Sequence, residues 1–259
     1  MHRLELPSTT MTGAGWRSRA WRALVCAFVA AGALATATPS WGAPPVDERE
    51  LLGESFDGRP IRVFHRGDPD DVRVLVVGCI HGDECAGVRI AERLRTGPPR
   101  RFLDLWILPS LNPDGRAAGT RQNARGVDLN RNFPYRWRSG PEGRYYPGRR
   151  PASEPETRIA MRLIRRIEPD ATIWFHQPLA LVDASGDVRV ERRYARLVGL
   201  PLVHLSGLHG TATSWQKHTF RGTEAFVVEL PGGRLRPREV RRYARAVYRL
   251  MARRPSGAG

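Results

Sequence analysis

The chain has 259 residues, a formal net charge of +16 and 41% apolar residues. Once a leader of about forty residues is set aside, this length fits one domain with a substantial core and excludes two domains of ordinary size. The positive charge is almost entirely arginine, because Lys217 is the only lysine. A basic surface favours anionic partners such as acidic polymers or carboxylate-rich substrates, although the arginines can equally form a solvated surface without a partner. No basic stripe interleaved with aromatic residues and no nucleic-acid motif is present, so we predict that the protein does not bind nucleic acid.

The N-terminal segment, residues 1–37, is predicted to be a secretory signal peptide. Three arginines precede an apolar run of 13 residues that ends at Ala35 and is followed by small residues. This run is too short for a membrane-spanning helix, which needs ~20 residues, and the small residues suit cleavage after Ala35 or Ala37. We therefore expect a secreted, periplasmic or cell-wall-associated protein with no stable membrane insertion after cleavage. The alternative is an uncleaved membrane anchor.

The rest of the chain combines apolar runs with helical patterns. We assign residues 38–70 to an N-terminal extension with the first strands and residues 71–255 to the catalytic domain. Four apolar runs in this domain predict buried strands, namely VRVLVVGCI, FLDLWIL, ATIWFH and EAFVVEL. Three segments have apolar residues at helical spacing, namely ECAGVRIAERLR, SEPETRIAMRLIRRI and PREVRRYARAVYRLMARR. Strands that alternate with helices are typical of an α/β fold.

Two candidate metal ligands follow the first of these strands, in the stretch CIHGDECAGV. His81 and Glu84 lie beyond the carboxyl end of the strand, where ligand sites gather in open α/β sheets. An imidazole and a carboxylate can bind one zinc ion, and a catalytic zinc takes three protein ligands and keeps a position for water. His176, which ends the ATIWFH strand, is the candidate for the third ligand. By itself this pattern is weak evidence, because histidine and glutamate at such a spacing are common.

A carboxylate in the EAFVVEL strand is the candidate general base. Strand alternation puts Ala225, Val227 and Glu229 on one face. The apolar surroundings would desolvate Glu229 and raise the pKa of its carboxyl toward the range of a general base. The alternatives are that Glu229 is a buried acid paired with an arginine, or that Glu224, at the start of the strand, is the base.

The order of the motifs resembles that of a known enzyme family. HGDE, NPDG, GTRQN, GVDLNRNFP, SEPET, a strand-end histidine and VEL follow one another as in the zinc carboxypeptidases of the pancreatic type. Within that family the chain looks like the compact bacterial murein tripeptide amidases, which remove diaminopimelate from γ-D-glutamyl peptides. The resemblance runs from about Val74 to Gly233. It implies a three-layer α/β fold in which helices flank a mixed, largely parallel, twisted sheet.

The resemblance also implies a metal centre and its supporting residues. One zinc ion per chain would be bound by His81, Glu84 and His176. Asp128 matches the acid that orients a zinc-binding histidine, a role that carboxylates often have at such sites. Glu229 matches the acid that activates the zinc-bound water and later protonates the leaving amine.

Four further residues correspond to substrate-contacting positions of the family. Arg121 matches the arginine that polarises the scissile carbonyl. Asn130 and Arg131 match the pair that binds the terminal carboxylate of the substrate, which suits a two-pronged guanidinium. Thr213 matches a position in the specificity pocket. A small polar residue there argues against a pocket for aromatic or simple basic side chains and suits diaminopimelate.

One family feature has no counterpart in this chain. The pancreatic enzymes carry a mobile tyrosine over the substrate, shortly before the catalytic acid. The corresponding stretch here, HLSGLHGTATSW, contains no tyrosine. His204 or His209 could replace it, or nothing does.

Cys79 and Cys85 flank the HGDE turn and are the only cysteines after the predicted signal peptide. In an exported protein, we hypothesise a disulfide that braces the turn. Two buried free thiols are the alternative, and a Cα separation beyond ~7 Å would favour them. We do not expect either cysteine to bind zinc, because the three ligands implied above leave only the position of the water.

We therefore predict a secreted zinc-dependent peptidase or amidase that hydrolyses the γ-D-glutamyl-diaminopimelate bond of murein peptides. Its substrate would be a peptide or murein peptide with a free carboxylate. A general secreted carboxypeptidase for ordinary peptides, a zinc-dependent acylase of the same fold group and a catalytically silent cell-wall-binding module are the alternatives. The sequence leaves the oligomeric state open.

Overall fold

The computed structural model describes residues 46–98, 102–184 and 188–250. The predicted signal peptide and the first residues of the predicted extension lie outside the described residues, and both stay predictions. None of the described helices has the length and apolar character that crossing a bilayer requires.

Eight strands form one mixed sheet in the described part of the chain. They are β1 (Val46–Glu54), β2 (Pro60–Gly67), β3 (Arg73–Val77), β4 (Asp104–Leu108), β5 (Ala171–His176), β6 (Leu179–Asp183), β7 (Leu202–Val203) and β8 (Glu224–Pro231). Their spatial order is β1-β2-β4-β3-β5-β8-β6-β7, and the four strands β4, β3, β5 and β8 run parallel. The two strands of the predicted extension, β1 and β2, join one edge of this sheet in antiparallel pairing.

The described part of the chain also contains six α-helices and one 3-10 helix. They are α1 (Gly87–Thr96), α2 (Pro113–Ala118), the 3-10 helix Leu129–Arg131, α3 (Pro155–Ile167), α4 (Arg189–Val198), α5 (Ala212–Thr219) and α6 (Pro237–Leu250). Helix α1 begins three residues after Glu84, later than the ECAGVRIAERLR pattern predicts. The reason is a separate turn, closed by a 3.1 Å hydrogen bond from the Glu84 N–H to the His81 carbonyl.

Helices cover both faces of the sheet. Because side chains alternate along the strands, each strand contributes apolar side chains to the core on either face. On β8, Phe226 and Val228 pack with α1, α4 and α6, whereas Val227 faces the layer formed with α3 and α5. Central strands that are buried on both faces must be apolar along their length, which explains the uninterrupted apolar runs in the sequence. The expected three-layer α/β fold with a mixed, largely parallel sheet is confirmed.

The carboxyl edge of the parallel strands carries the candidate residues. His176 is the last residue of β5, and it pairs in register with Glu229 of β8. The neighbouring strand β3 ends at Val77, and the chain then turns through His81 and Glu84 before α1 begins. The parallel register therefore sets the separation between the candidate ligands and the candidate base.

The turn after β3 packs directly on the backbone of the NPDG segment. A Cβ atom at Gly82 would lie 1.9 Å from the carbonyl carbon of Gly115, which is too close for any side chain. Asn112 holds the other side of this contact, since its side chain accepts a 2.9 Å hydrogen bond from the Gly115 N–H and caps α2. The motifs HGDE and NPDG are thus two halves of one backbone contact.

This contact leads to a prediction for Gly82→Ala. The added methyl group must push the ligand turn away from α2, so we expect the free energy of unfolding to fall by about 1–3 kcal/mol and the zinc content per chain to decrease. Thermal or urea unfolding and elemental analysis by mass spectrometry measure the two effects.

Gly140→Ala is the matched control. A Cβ atom at Gly140 would meet only the Pro147 side chain at 3.4 Å, an ordinary contact. A Gly82→Ala protein with the stability and zinc content of the control would contradict the close backbone contact between Gly82 and Gly115.

Candidate active site

Three potential metal ligands converge at the carboxyl edge of the sheet. The donor atoms of His81, Glu84 and His176 lie within 4.8 Å of one another, and all three residues are buried. Nδ1 of each imidazole lies 2.9 Å from the same carboxylate oxygen, Oε2 of Glu84. The structure thus brings together the three residues that the sequence indicates, although 92 positions separate Glu84 from His176.

The surroundings of this cluster suit a cation. Two imidazole nitrogens and a carboxylate oxygen face one another, and a proton or a metal ion between them removes the repulsion of their lone pairs. Burial, partly opposed by the hydrogen bond with Glu84, lowers the pKa of His176 to about 4, so its imidazole is neutral at physiological pH. Two imidazoles and one carboxylate form a ligand set that catalytic zinc sites use. These residues therefore fit the metal that the sequence implies.

Asp128 orients His81. Its Oδ1 accepts a 2.9 Å hydrogen bond from Nε2 of His81, which leaves Nδ1 as the atom that faces the cluster. Burial by itself raises the pKa of Asp128, but the charge of His81, its hydrogen bond and the charge of Arg121 outweigh burial and hold this pKa well below the usual range. Asp128 is therefore an ionised acceptor behind the histidine.

Arg121 lies against both buried acids. Its Nη1 donates to Oε1 of Glu84 at 2.5 Å, and its Nε donates to Oδ2 of Asp128 at 2.9 Å. Burial raises the pKa of Glu84, but hydrogen bonds with His176 and then His81 outweigh this effect and keep the pKa well below its usual range. The two carboxylates are thus ionised, and Arg121 compensates part of their charge while it lines the cleft.

The 3-10 helix holds Asn130 and Arg131 at the same cleft. It begins directly after Asp128, whose side chain accepts a 2.9 Å hydrogen bond from the Asn130 N–H. Oδ1 of Asn130 accepts a hydrogen bond from the Ala212 N–H at 3.0 Å, and Nη1 of Arg131 donates to the Asn130 carbonyl at 2.8 Å. The stretch DLNR thus presents an acid to His81 and two polar side chains to the cleft.

Glu229 faces this cleft from β8, beside His176. The Leu179 N–H approaches its Oε2 at 3.5 Å. Burial, and then the nearby charge of Glu84, raise the pKa of Glu229 to about 7, in the direction that its apolar strand predicts. The competing acid, Glu224, pairs with Ala171 at the opposite end of the strands, away from the candidate ligands.

The cleft consists of three adjoining cavities. The central cavity, about 520 Å³, is lined by the candidate ligands together with Arg121, Asn130, Arg131 and Glu229. The threonine cavity, about 540 Å³, contains Thr213, Asp183 and Lys217 and shares part of the segment 204–208 with the central cavity. The arginine cavity, about 500 Å³, contains Arg89, Arg144 and Arg234 and meets the central cavity at Glu84, Arg144, Gln177 and Pro178. Thr213 therefore lies one cavity away from the candidate ligands.

Arg144 and Tyr145 line the central cavity, and the sequence did not indicate either of them. The Tyr145 ring centre lies 5.2 Å from the guanidinium carbon of Arg121 and 5.7 Å from that of Arg131. Both residues belong to an aperiodic loop before α3, so no spacing signal points to them. Of the two histidines considered as replacements for the family's tyrosine, His204 lines the central cavity.

Cys79 and Cys85 are joined by a disulfide in the structure, and their Cα atoms are 4.9 Å apart. This distance lies within the range that disulfides span. The bond closes the turn that carries His81 and Glu84. Neither sulfur belongs to the cluster of potential metal ligands.

Known proteins share the sequence pattern and the fold of this chain. A model of the zinc carboxypeptidase family matches residues 99–182. Murein peptide amidase A of Escherichia coli K12 is 36% identical over 184 residues, which cover 64% of this chain and 75% of that protein. The crystal structure of the murein-tripeptide amidase from Escherichia coli O157 superposes with a TM-score of 0.68 at 30% identity, covering 84% of this chain and 96% of that one.

The carboxypeptidase A of Helicoverpa armigera shares the fold, with a TM-score of 0.66 at 18% identity over 79% of this chain and 68% of that one. The likeness to murein peptide amidase A extends over three quarters of that protein, well beyond the segment that the family model matches. The chain therefore belongs to the zinc carboxypeptidase family and is a zinc metallopeptidase.

Proposed function

We propose that this enzyme hydrolyses the bond between γ-D-glutamate and diaminopimelate in murein peptides, with one zinc ion held by His81, Glu84 and His176. The observation that carries the proposal is the cluster of three donors beside Glu229 at one edge of the sheet. The similarity to murein peptide amidases over most of their length supports the substrate class.

The geometry of the central cavity supports a role for each of its polar residues. Bound zinc would activate a water molecule and polarise the carbonyl that is attacked. Glu229 accepts the proton of the attacking water and delivers it to the leaving amine, and a pKa near 7 suits both steps. Arg121 uses two of its five N–H donors to bind Glu84 and Asp128. The remaining donors can stabilise the negative charge that develops on the carbonyl oxygen.

The leaving amino acid would lie between the central and threonine cavities. Asn130 and Arg131 bind its terminal carboxylate, and its side chain extends toward Thr213. Diaminopimelate carries a second ammonium and a second carboxylate at the end of that side chain. A wall that contains both an acid, Asp183, and an amine, Lys217, suits such an end better than an apolar wall does.

We also propose that the enzyme acts outside the cytoplasm. The predicted signal peptide supports export, and the Cys79–Cys85 disulfide is of the kind that persists in oxidising compartments. Cell fractionation followed by N-terminal sequencing of the mature protein locates the enzyme and its cleavage site.

The substrate assay compares two classes of peptide. Zinc-loaded protein is incubated with L-Ala-γ-D-Glu-meso-diaminopimelate and with hippuryl peptides, and products are identified by mass spectrometry. We expect free diaminopimelate from the first. Cleavage of hippuryl peptides alone would instead identify a general carboxypeptidase, and cleavage of neither would favour a silent binding module.

The role of Glu229 leads to a prediction for Glu229→Gln. The amide cannot accept a proton, so we expect kcat to fall by about 10²–10⁴-fold while zinc content and fold remain those of the wild type. Glu224→Gln is the control, because that acid lies at the other end of the same strand. Full activity in zinc-loaded Glu229→Gln, or an equal loss in both variants, would contradict the assignment.

The pKa of Glu229 leads to a prediction for pH dependence. Its carboxylate form is the base, so kcat/KM should rise with pH and level off once Glu229 is ionised. We expect the midpoint at about 7 or below, because burial raises this pKa to about 7 whereas a bound cation favours the carboxylate and lowers it. The residual activity of Glu229→Gln should not rise with pH in this way. A wild-type midpoint well above pH 7 would show that the titrating group is not Glu229.

A further inference from the structure

The arginine cavity adjoins the central cavity at residues other than those that the threonine cavity shares with it. The threonine cavity shares only residues of the segment 204–208 with the central cavity, whereas the arginine cavity shares Glu84, Arg144, Gln177 and Pro178 with it. If the leaving amino acid extends toward Thr213, as proposed above, the part of the substrate that precedes the scissile bond extends the opposite way. It therefore enters the arginine cavity.

This cavity is positively charged. Arg89, Arg144 and Arg234 line it, and Asp83 and Glu84 are the acids on its walls. Glu84 already contacts two imidazoles and Arg121. Asp83 is the acid that pairs with Arg144, at 3.6 Å and with both side chains partly exposed. A partly exposed ion pair at this distance is weak, so an anionic ligand can replace Asp83 as the partner of the Arg144 guanidinium.

The wall behind these arginines is built from ordered contacts. The Gln177 amide donates to the carbonyls of Pro231 and Gly233, each at 2.8 Å, and accepts a 3.0 Å hydrogen bond from the Ala86 N–H. Nη1 of Arg89 donates to the Leu235 carbonyl. These contacts tie the turn after β8 to the turn after β3, so this part of the cavity wall has a defined shape.

We infer that the arginine cavity binds the free α-carboxylate of the γ-linked glutamyl residue, with Arg144 as its main contact. The inference rests on the proposed function. In a γ-glutamyl peptide the scissile carbonyl belongs to the glutamate side chain, so the α-carboxylate remains a free anion on the acyl side. In an ordinary peptide the main chain has no free carboxylate in this region, because every α-carboxyl group before the scissile bond is part of an uncharged amide. A guanidinium at this point thus distinguishes γ-linked from ordinary peptides and recognises the anion by paired N–H donors.

Amidation of that single carboxylate tests the inference. Two tripeptides are compared, L-Ala-γ-D-Glu-meso-diaminopimelate and its analogue with a D-isoglutaminyl residue, in which the α-carboxylate is a neutral amide. We expect the zinc-loaded wild type to prefer the carboxylate form at least tenfold in kcat/KM. We expect Arg144→Gln to reduce this ratio at least tenfold, and Arg234→Gln to reduce it by a smaller factor.

Arg245→Gln is the matched control, since this arginine is exposed on α6, on another part of the surface. It should keep the wild-type ratio. Binding of both tripeptides to zinc-loaded Glu229→Gln protein, measured by calorimetry, gives the same comparison without turnover. Thermal unfolding checks that each variant is folded.

The outcomes separate the two proposals. Equal kcat/KM for both tripeptides in the wild type, or an unchanged ratio in folded Arg144→Gln, overturns the anion site and leaves the proposed function intact. Release of amino acids from ordinary peptides but from neither tripeptide overturns both.

Discussion

The buried carboxylate of Asp128 connects the separate parts of the active site. One of its oxygens accepts hydrogen bonds from the His81 imidazole and from the Asn130 N–H, and the other accepts from Arg121. A carboxylate with no exposed surface is stable only when its charge is compensated and its lone pairs are occupied. The same requirement therefore orients a candidate metal ligand, positions an arginine and starts the 3-10 helix that carries the pair proposed to bind the substrate. The charge of Asp128 and its hydrogen bonds thus hold these three groups in fixed positions relative to one another.

The sequence motifs correspond to physical contacts between chain segments. HGDE and NPDG meet backbone to backbone at Gly82 and Gly115, a distance that no side chain allows. GTR and GVDLN meet through Arg121 and Asp128. Each motif forms its contact only when the other motif of the pair is present. A single motif is therefore modest evidence for the family, whereas all of them in order are strong evidence.

Much of the fold and part of the site could be predicted because they depend on periodicity. Uninterrupted apolar runs identify the buried parallel strands, and the carboxyl ends of those strands are where His81, His176 and Glu229 lie. Side-chain alternation within β8 separates Glu229 from the residues of the opposite face. The start of α1 was not predictable, because the turn that delays it depends on a hydrogen bond and a disulfide rather than on apolar spacing. Arg144 and Tyr145 lie on an aperiodic loop, and only the folded chain brings them to the cleft.

The chain carries its charge almost entirely on arginine, and this has a consequence for chemical probes of the enzyme. Lys217 is the only lysine, and it lies in the wall of the threonine cavity. Burial lowers the pKa of its amine, so at a given pH more of it is in the neutral, nucleophilic form than in an exposed lysine. Amine-directed reagents and cross-linkers consequently have one side-chain target in this chain, and that target lines the candidate active-site cleft.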